Sequence, residues 1–214
     1  GAGAKLRAEA IGEVLAGITR GVHQVPAQAI SITQASEYGM VYRPDELAAI
    51  GALAKEHGLG LHMDGARFGN ACAFLGAAPA EVAGPVDALS FGFVKNGGMG
   101  AEAVILFDAE KAEMIRYRRK RAGHLQSKGR YLAAQILAML DDDLWLHNAR
   151  AANATAAEIA GAAGDRLVYP VEANELFVAV NAEERAALRA QGFAFYDWDE
   201  ACVPLVTSWA TDPA

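Results

Sequence analysis

The 214-residue chain is 53% hydrophobic and 21% charged, which gives it enough apolar surface to bury a core and excludes a disordered segment. With 19 Lys and Arg against 26 Asp and Glu, its net charge of −7 repels phosphate backbones and acidic membrane surfaces, so neither nucleic acid nor a membrane is an expected partner. The basic stretch from Lys111 to Arg130, with Arg116, Arg118, Arg119, Lys120, Arg121 and Lys128 between, is the local exception.

Cys72 and Cys202 lie far apart among apolar neighbours and read as buried thiols rather than a disulfide. The sequence has no apolar run of the roughly 18 residues a membrane span needs, and no charged-then-apolar leader opens it. A soluble, cytoplasmic protein is expected.

In chain order, Ala29 to Thr33 (AISIT) reads as a short buried strand running into the polar loop Gln34 to Tyr42. Arg43-Pro44-Asp45-Glu46 opens a helix with proline in its first turn, and Leu47, Ile50, Leu53 and Ala54 repeat at helical spacing until Gly58. Leu59 to Met63 is a second strand, and after Asp64-Gly65-Ala66-Arg67 a short helix runs to about Leu75. Asp87 to Phe93 is a third strand, Lys95 to Gly100 a glycine-rich loop, and Ala103 to Phe107 a fourth strand. Alternating strands and helices predict an α/β fold with a mostly parallel sheet and helices on both faces. From Ala109 to Gly164 the pattern is helical. Short strands at Leu167 to Tyr169, Leu176 to Val180, Gly192 to Tyr196 and Leu205 to Trp209, around a helix from Ala182 to Arg189, then suggest a small α+β unit. The expected division is residues 1–150 and 151–214.

Three polar runs follow apolar strands: the loop after Thr33, His62 to Arg67 (HMDGAR), and Val94 to Gly98 (VKNGG). One right-handed crossover brings Asp64 and Lys95 to neighbouring strand ends, and ligands of such sheets sit at those ends. A carboxylate and an amine so placed suit a pyridine ring, the acid keeping the ring nitrogen protonated and the amine bonding at the opposite end. Taken singly, each residue has a plainer reading: Asp64 as a helix cap, Lys95 as a solvated turn lysine, His62 as a satisfied strand histidine.

The runs SITQASEYGMVY (Ser31 to Tyr42), LHMDGARFGNA (Leu61 to Ala71), LSFGFVKNGGMGAEAVI (Leu89 to Ile105), RRKRAGHLQSKGRYLAAQ (Arg118 to Gln135), DLWLHNARAANA (Asp143 to Ala154), VEANELFV (Val171 to Val178) and LVTSWAT (Leu205 to Thr211) change those odds. In this order the chain resembles the low-specificity threonine aldolases, in the beta-eliminating lyase group of fold-type I pyridoxal-phosphate enzymes. The resemblance implies pyridoxal 5'-phosphate as cofactor and Lys95 as the lysine that bonds it. It also implies Asp64 at the pyridine nitrogen, Ala66 against the ring, and Arg67 gripping the substrate carboxylate or the cofactor side of it, a bidentate task suited to guanidinium. It further implies cleavage of a β-hydroxy amino acid to glycine and an aldehyde, and a homodimer or homotetramer. For the basic run two readings stay open: Arg121, His124, Lys128 or Arg130 approaching a phosphate across a subunit contact, or a solvated helix face.

The family's N-terminal part, with its phosphate cradle and a ring stacked on the cofactor, precedes the runs matched here. Pro204 stands where relatives carry a carboxylate-gripping arginine, and Val94 where they place a hydroxyl residue. Three further readings are therefore carried: another lyase or racemase on the same scaffold, a truncated non-catalytic remnant, and an unrelated nucleotide module using Val94 to Gly100. The last lacks the GxxxxGK[ST] order.

Overall fold

A computed structural model of the protein describes residues 2–18 and 21–212. After helix α1 (Ala8–Gly17), strands β1 (Ala29–Thr33), β2 (Gly60–Gly65), β3 (Ala88–Phe91) and β4 (Ala103–Leu106) form one sheet in the order β1-β2-β3-β4. β1, β2 and β3 are parallel, with Thr33 opposite Asp64 and Asp64 opposite Ser90. β4 returns antiparallel to β3, because the glycine-rich turn between them is too short for a crossover. The expected mostly parallel α/β sheet is what forms.

Between the strands run α2 (Pro44–Glu56), α3 (Phe68–Leu75) and the short α4 (Pro79–Ala83). Proline at the start of α2, with Glu46 accepting from Arg43 N–H at 2.7 Å, fixes where that helix begins. Ile30, Ile32, Leu61, Met63, Leu89 and Phe91 alternate along the strands, and their buried face packs into one core with Leu47 and Ile50 of α2 and Phe68 and Cys72 of α3. The other sheet face carries Ser31, Thr33, His62, Asp64 and Ser90, all half-buried or exposed. There His62 joins three strands, its Nδ1 2.8 Å from Ser31 Oγ and its Nε2 3.0 Å from Ser90 Oγ, so the satisfied strand histidine is borne out.

Helices α5 (Ala109–Arg121), α6 (Arg130–Leu140) and α7 (Leu144–Ala163) follow. α5 has no buried residue; its arginines are exposed, as in the solvated-face reading of the basic run. α7 packs along α3 through Ala149, Ala152 and Ala156, and the reciprocal amide bonds of Asn70 with Asn153 tie the two helices together. The last elements are β5 (Glu175–Ala179), α8 (Ala182–Ala190) and β6 (Cys202–Val206), with β5 and β6 antiparallel. Asn181 caps α8 in a reciprocal box with Glu184.

Three strand expectations need correction. Gly192 to Tyr196 forms no strand: it finds no pairing partner, and Phe193 and Tyr196 stay exposed despite their alternation. The final strand covers Cys202–Val206 rather than Leu205 to Trp209, because pairing with β5 sets Phe177 opposite Pro204 and ends the ladder at Val206. Leu167 makes a single bridge to Val178 instead of a strand. Both cysteines are free and buried, and burial pushes the Cys72 thiol up to about 12. Among the described residues no helix is long and apolar enough to cross a membrane.

Candidate active site

The parallel register places the carboxyl ends of β1, β2 and β3 at one edge of the sheet, so the loops that begin at Gln34, Ala66 and Gly92 leave from the same rim. Asp64 sits on the open face at the end of β2, and its Oδ1 accepts from Ala66 N–H at 3.0 Å. That bond, two residues on, turns the chain sharply. Asp64 is therefore not the cap of α3, whose N-cap residue is Arg67. The turn is crowded: a Cβ on Gly92 would lie 2.8 Å from the Ala66 Cα, so the end of β3 runs against the Ala66 backbone and only glycine fits there.

Lys95 lies in a single 3-10 turn, Val94–Asn96, directly after β3. Its side chain is exposed and makes no hydrogen bond or ion pair among the described residues. The backbone around it is held firmly. Asn96, 7% exposed, donates to Trp145 C=O at 2.7 Å, and Asn148 of α7 donates to Asn96 C=O at 2.9 Å. Gly97 follows at φ 109°, where a Cβ would meet the Asn148 amide at 2.9 Å and Trp209 Nε1 at 3.0 Å. Gly100 N–H reaches Gln135 Oε1 of α6 at 3.1 Å. Asn148→Ala is expected to cost about 1–3 kcal/mol, because it leaves the buried Asn96 carbonyl without its donor. Urea unfolding would read the loss.

Arg67 turns towards β5. Its Nη2 pairs with Glu175 Oε1 at 2.6 Å, with the two side chains 13% and 9% exposed. Neither Arg67 Nε nor Glu175 Oε2, both buried, has a hydrogen-bond partner. Burial pushes the Glu175 carboxyl up to about 7; the Arg67 and Lys95 charges pull it down, and the Glu37 charge adds to the rise. The loop Gln34 to Tyr42 closes this side: Glu172 accepts from Val41 N–H at 2.7 Å, and Tyr38 stacks on Tyr169 at 4.4 Å. Glu175, Asn96 and Asn148 were not singled out as site residues from sequence. The one signal was that each falls inside a family-like run.

A carboxyl raised from 4.5 to about 7 binds its proton more tightly folded than unfolded. Its contribution to stability is thus complete below pH 4.5 and is lost as pH rises to about 7, on the order of 3 kcal/mol in all. Glu175→Gln, which mimics the neutral acid, is expected to abolish that fall. Denaturant midpoints of both proteins between pH 4 and 8 would check it, and parallel curves would refute it.

The beta-eliminating lyase family profile matches residues 2–183. The chain belongs to that family. Within the beta-eliminating lyases it is 47% identical over 198 residues to the low specificity L-threonine aldolase of Pseudomonas aeruginosa, covering 89% of this chain and 57% of that one. It is 28% identical over 164 residues to the low specificity L-threonine aldolase of Saccharomyces cerevisiae, covering 75% of this chain and 42% of that one. The chain thus spans little more than half the length of the first of these relatives. Among solved structures, a threonine aldolase from Leishmania major superposes with a TM-score of 0.88 at 32% identity, over 98% of this chain and 64% of its own. An aspartate aminotransferase from Thermotoga maritima, at 18% identity and a TM-score of 0.63, shares the fold alone. The fold is that of the fold-type I pyridoxal-phosphate enzymes.

Pyridoxal 5'-phosphate is the cofactor that membership in this beta-eliminating lyase family implies. The donor set fits it: a carboxylate at Asp64 near the end of β2 and an exposed amine at Lys95 in the turn after β3, with the small residues Ala66 and Gly92 closely packed where those strands end. In β6 the position expected to carry an arginine is Pro204, opposite Phe177, so Arg67 is the guanidinium that this site holds beside Glu175.

Proposed function

We propose that this chain carries the cofactor site of a lyase that cleaves L-threonine or a related β-hydroxy amino acid to glycine and an aldehyde. The observation that supports the reading is that Asp64 lies near the carboxyl end of β2 and Lys95 in the turn that follows β3, the parallel strand paired with it. Bound there, pyridoxal phosphate would supply a sink for the electron pair left when the Cα–Cβ bond breaks. Lys95 supplies the amine that bonds the cofactor, and a lysine does this only as the neutral base. Asp64 would hold the proton on the ring nitrogen through its carboxylate, and Ala66 would lie against the ring. Arg67 would grip the carboxylate of the amino acid, its guanidinium held through Nη2 by Glu175 Oε1 at 2.6 Å.

The part up to about residue 150 forms the cofactor-holding unit, and residues 151–214 form the small C-terminal unit. The active form is a homodimer or homotetramer in the cytoplasm. The exposed Met114, Tyr117, Leu125 and Tyr131, set among the arginines of α5 and the start of α6, support a subunit contact there. Pro204 favours a second reading, a chain that holds the cofactor but does not turn substrate over, since a proline offers nothing to a carboxylate.

Absorbance after mixing with pyridoxal phosphate, followed by assay of glycine release from L-threonine, separates these readings. A band with glycine release supports the aldolase. A band without release supports the second reading, and a folded protein with no band overturns both.

A further inference from the structure

In a parallel sheet both faces are usually apolar and covered. Here one face is Ile, Leu, Met and Phe, while Ser31, Thr33, His62, Asp64 and Ser90 stand together on the other. His62 crosses that polar face on a slant. It is level with Ser31 of β1, whose Oγ lies 2.8 Å from its Nδ1. Its Nε2 reaches 3.0 Å to the Oγ of Ser90 on β3, which is level not with His62 but with Asp64. A neutral imidazole donates through one ring nitrogen and accepts through the other, and a hydroxyl can do either, so the bridge satisfies both nitrogens in either tautomer.

The carboxylate beside this bridge is left half open. Asp64 Oδ1 accepts from Ala66 N–H at 3.0 Å, and Oδ2 makes no hydrogen bond among the described residues. Three side chains flank it on the same face: Thr33 and Ser90, its register partners on β1 and β3, and His62, two residues before it on β2. None of them bonds to it. For Ser90 and His62 the reason is visible, since each is committed to the other.

We propose that His62 is a positioning residue for Asp64: its bond with Ser90 keeps both of these donors off the Asp64 carboxylate and leaves Oδ2 open at the rim for a cationic ring N–H. The use of that oxygen for a pyridinium rests on the function proposed above; the effect of the His62–Ser90 bond on Asp64 does not. Removing either partner frees the other. Without His62 the Ser90 hydroxyl turns to Oδ2, and without Ser90 the imidazole does. Removing both leaves neither donor to compete, so the two losses offset each other instead of adding.

The test is a cycle of His62→Phe, Ser90→Ala and the double variant, made in the whole chain. Without cofactor, the carbon-13 shift of the Asp64 side-chain carboxyl, assigned through Asp64→Asn and read at one fixed pH, reports a new donor. It is expected to move in each single variant and to return in the double to its value in the unsubstituted protein. With pyridoxal phosphate, the dissociation constant read from the absorbance band should rise about tenfold in each single variant, the size of one hydrogen bond to a charged group. In the double it should fall back to within about threefold of the unsubstituted protein. A role confined to strand packing makes the double variant the worst of the three, and that order overturns the proposal. So does a carboxyl shift unmoved by Ser90→Ala, the milder change, which keeps the test decisive if His62→Phe does not fold. A protein that gains no band sinks the proposed function, and the carboxyl shifts then decide this inference by themselves.

Discussion

Lys95→Ala is expected to abolish the absorbance band that the protein gains with pyridoxal phosphate, while leaving its thermal unfolding unchanged. The two halves of that expectation have separate grounds. The band needs a covalent link to an amine, and Lys95 is the lysine in the turn after β3, the strand paired with the one that carries Asp64. Stability is spared because the side chain is exposed and makes no hydrogen bond or ion pair among the described residues, so its truncation falls within about 0.5 kcal/mol of neutral. Borohydride reduction followed by peptide mass analysis would give the same answer at residue resolution. A label found on another lysine, with Lys95 unmodified, would overturn the assignment.

Trp145→Ala is the substitution with the largest expected effect on stability, about 3–5 kcal/mol. The indole is 4% exposed, lies edge-on to Phe91 at 5.2 Å and stacks parallel to Phe68 at 6.5 Å, so it joins the first turn of α7 to both β3 and α3. Truncation leaves a cavity between elements that cannot all close on it. For a chain of this size the loss corresponds to a fall of roughly 10 °C in Tm, readable by calorimetry. Trp209→Ala is the control: that indole is 50% exposed and should cost far less. Because Trp145 C=O also accepts from Asn96, the damage should reach the Lys95 turn, seen as faster amide exchange at residues 94–97.

Much of the large sheet was legible because its signals are local. Short apolar runs such as AISIT can be buried only as strands, and proline at Pro44 and glycine at Gly58 bracket α2 without help from elsewhere. That Asp64 and Ala66 fall where β2 ends and Lys95 in the turn after β3 was legible for the same reason, because strand limits follow local patterns. The C-terminal unit was read less well. The alternation of Gly192 to Tyr196 imitates a strand, yet a strand exists only if another edge accepts it, and β5 is already paired to Cys202–Val206.

By itself, then, the sequence determined the chain order of the strands and helices of the large sheet, the positions of Asp64 near the end of β2 and of Lys95 after β3, and membership of the beta-eliminating lyase family, all of which follow from short-range patterns and motif order. Only the tertiary structure decided that Glu175 faces Arg67, 108 positions away in the chain by their numbers, and that Asn96 and Asn148 brace the turn carrying Lys95. The physical reason is that burial and ion pairing depend on which distant segments share a volume. A glutamate in an apolar run looks the same in sequence whether a guanidinium waits beside it or not.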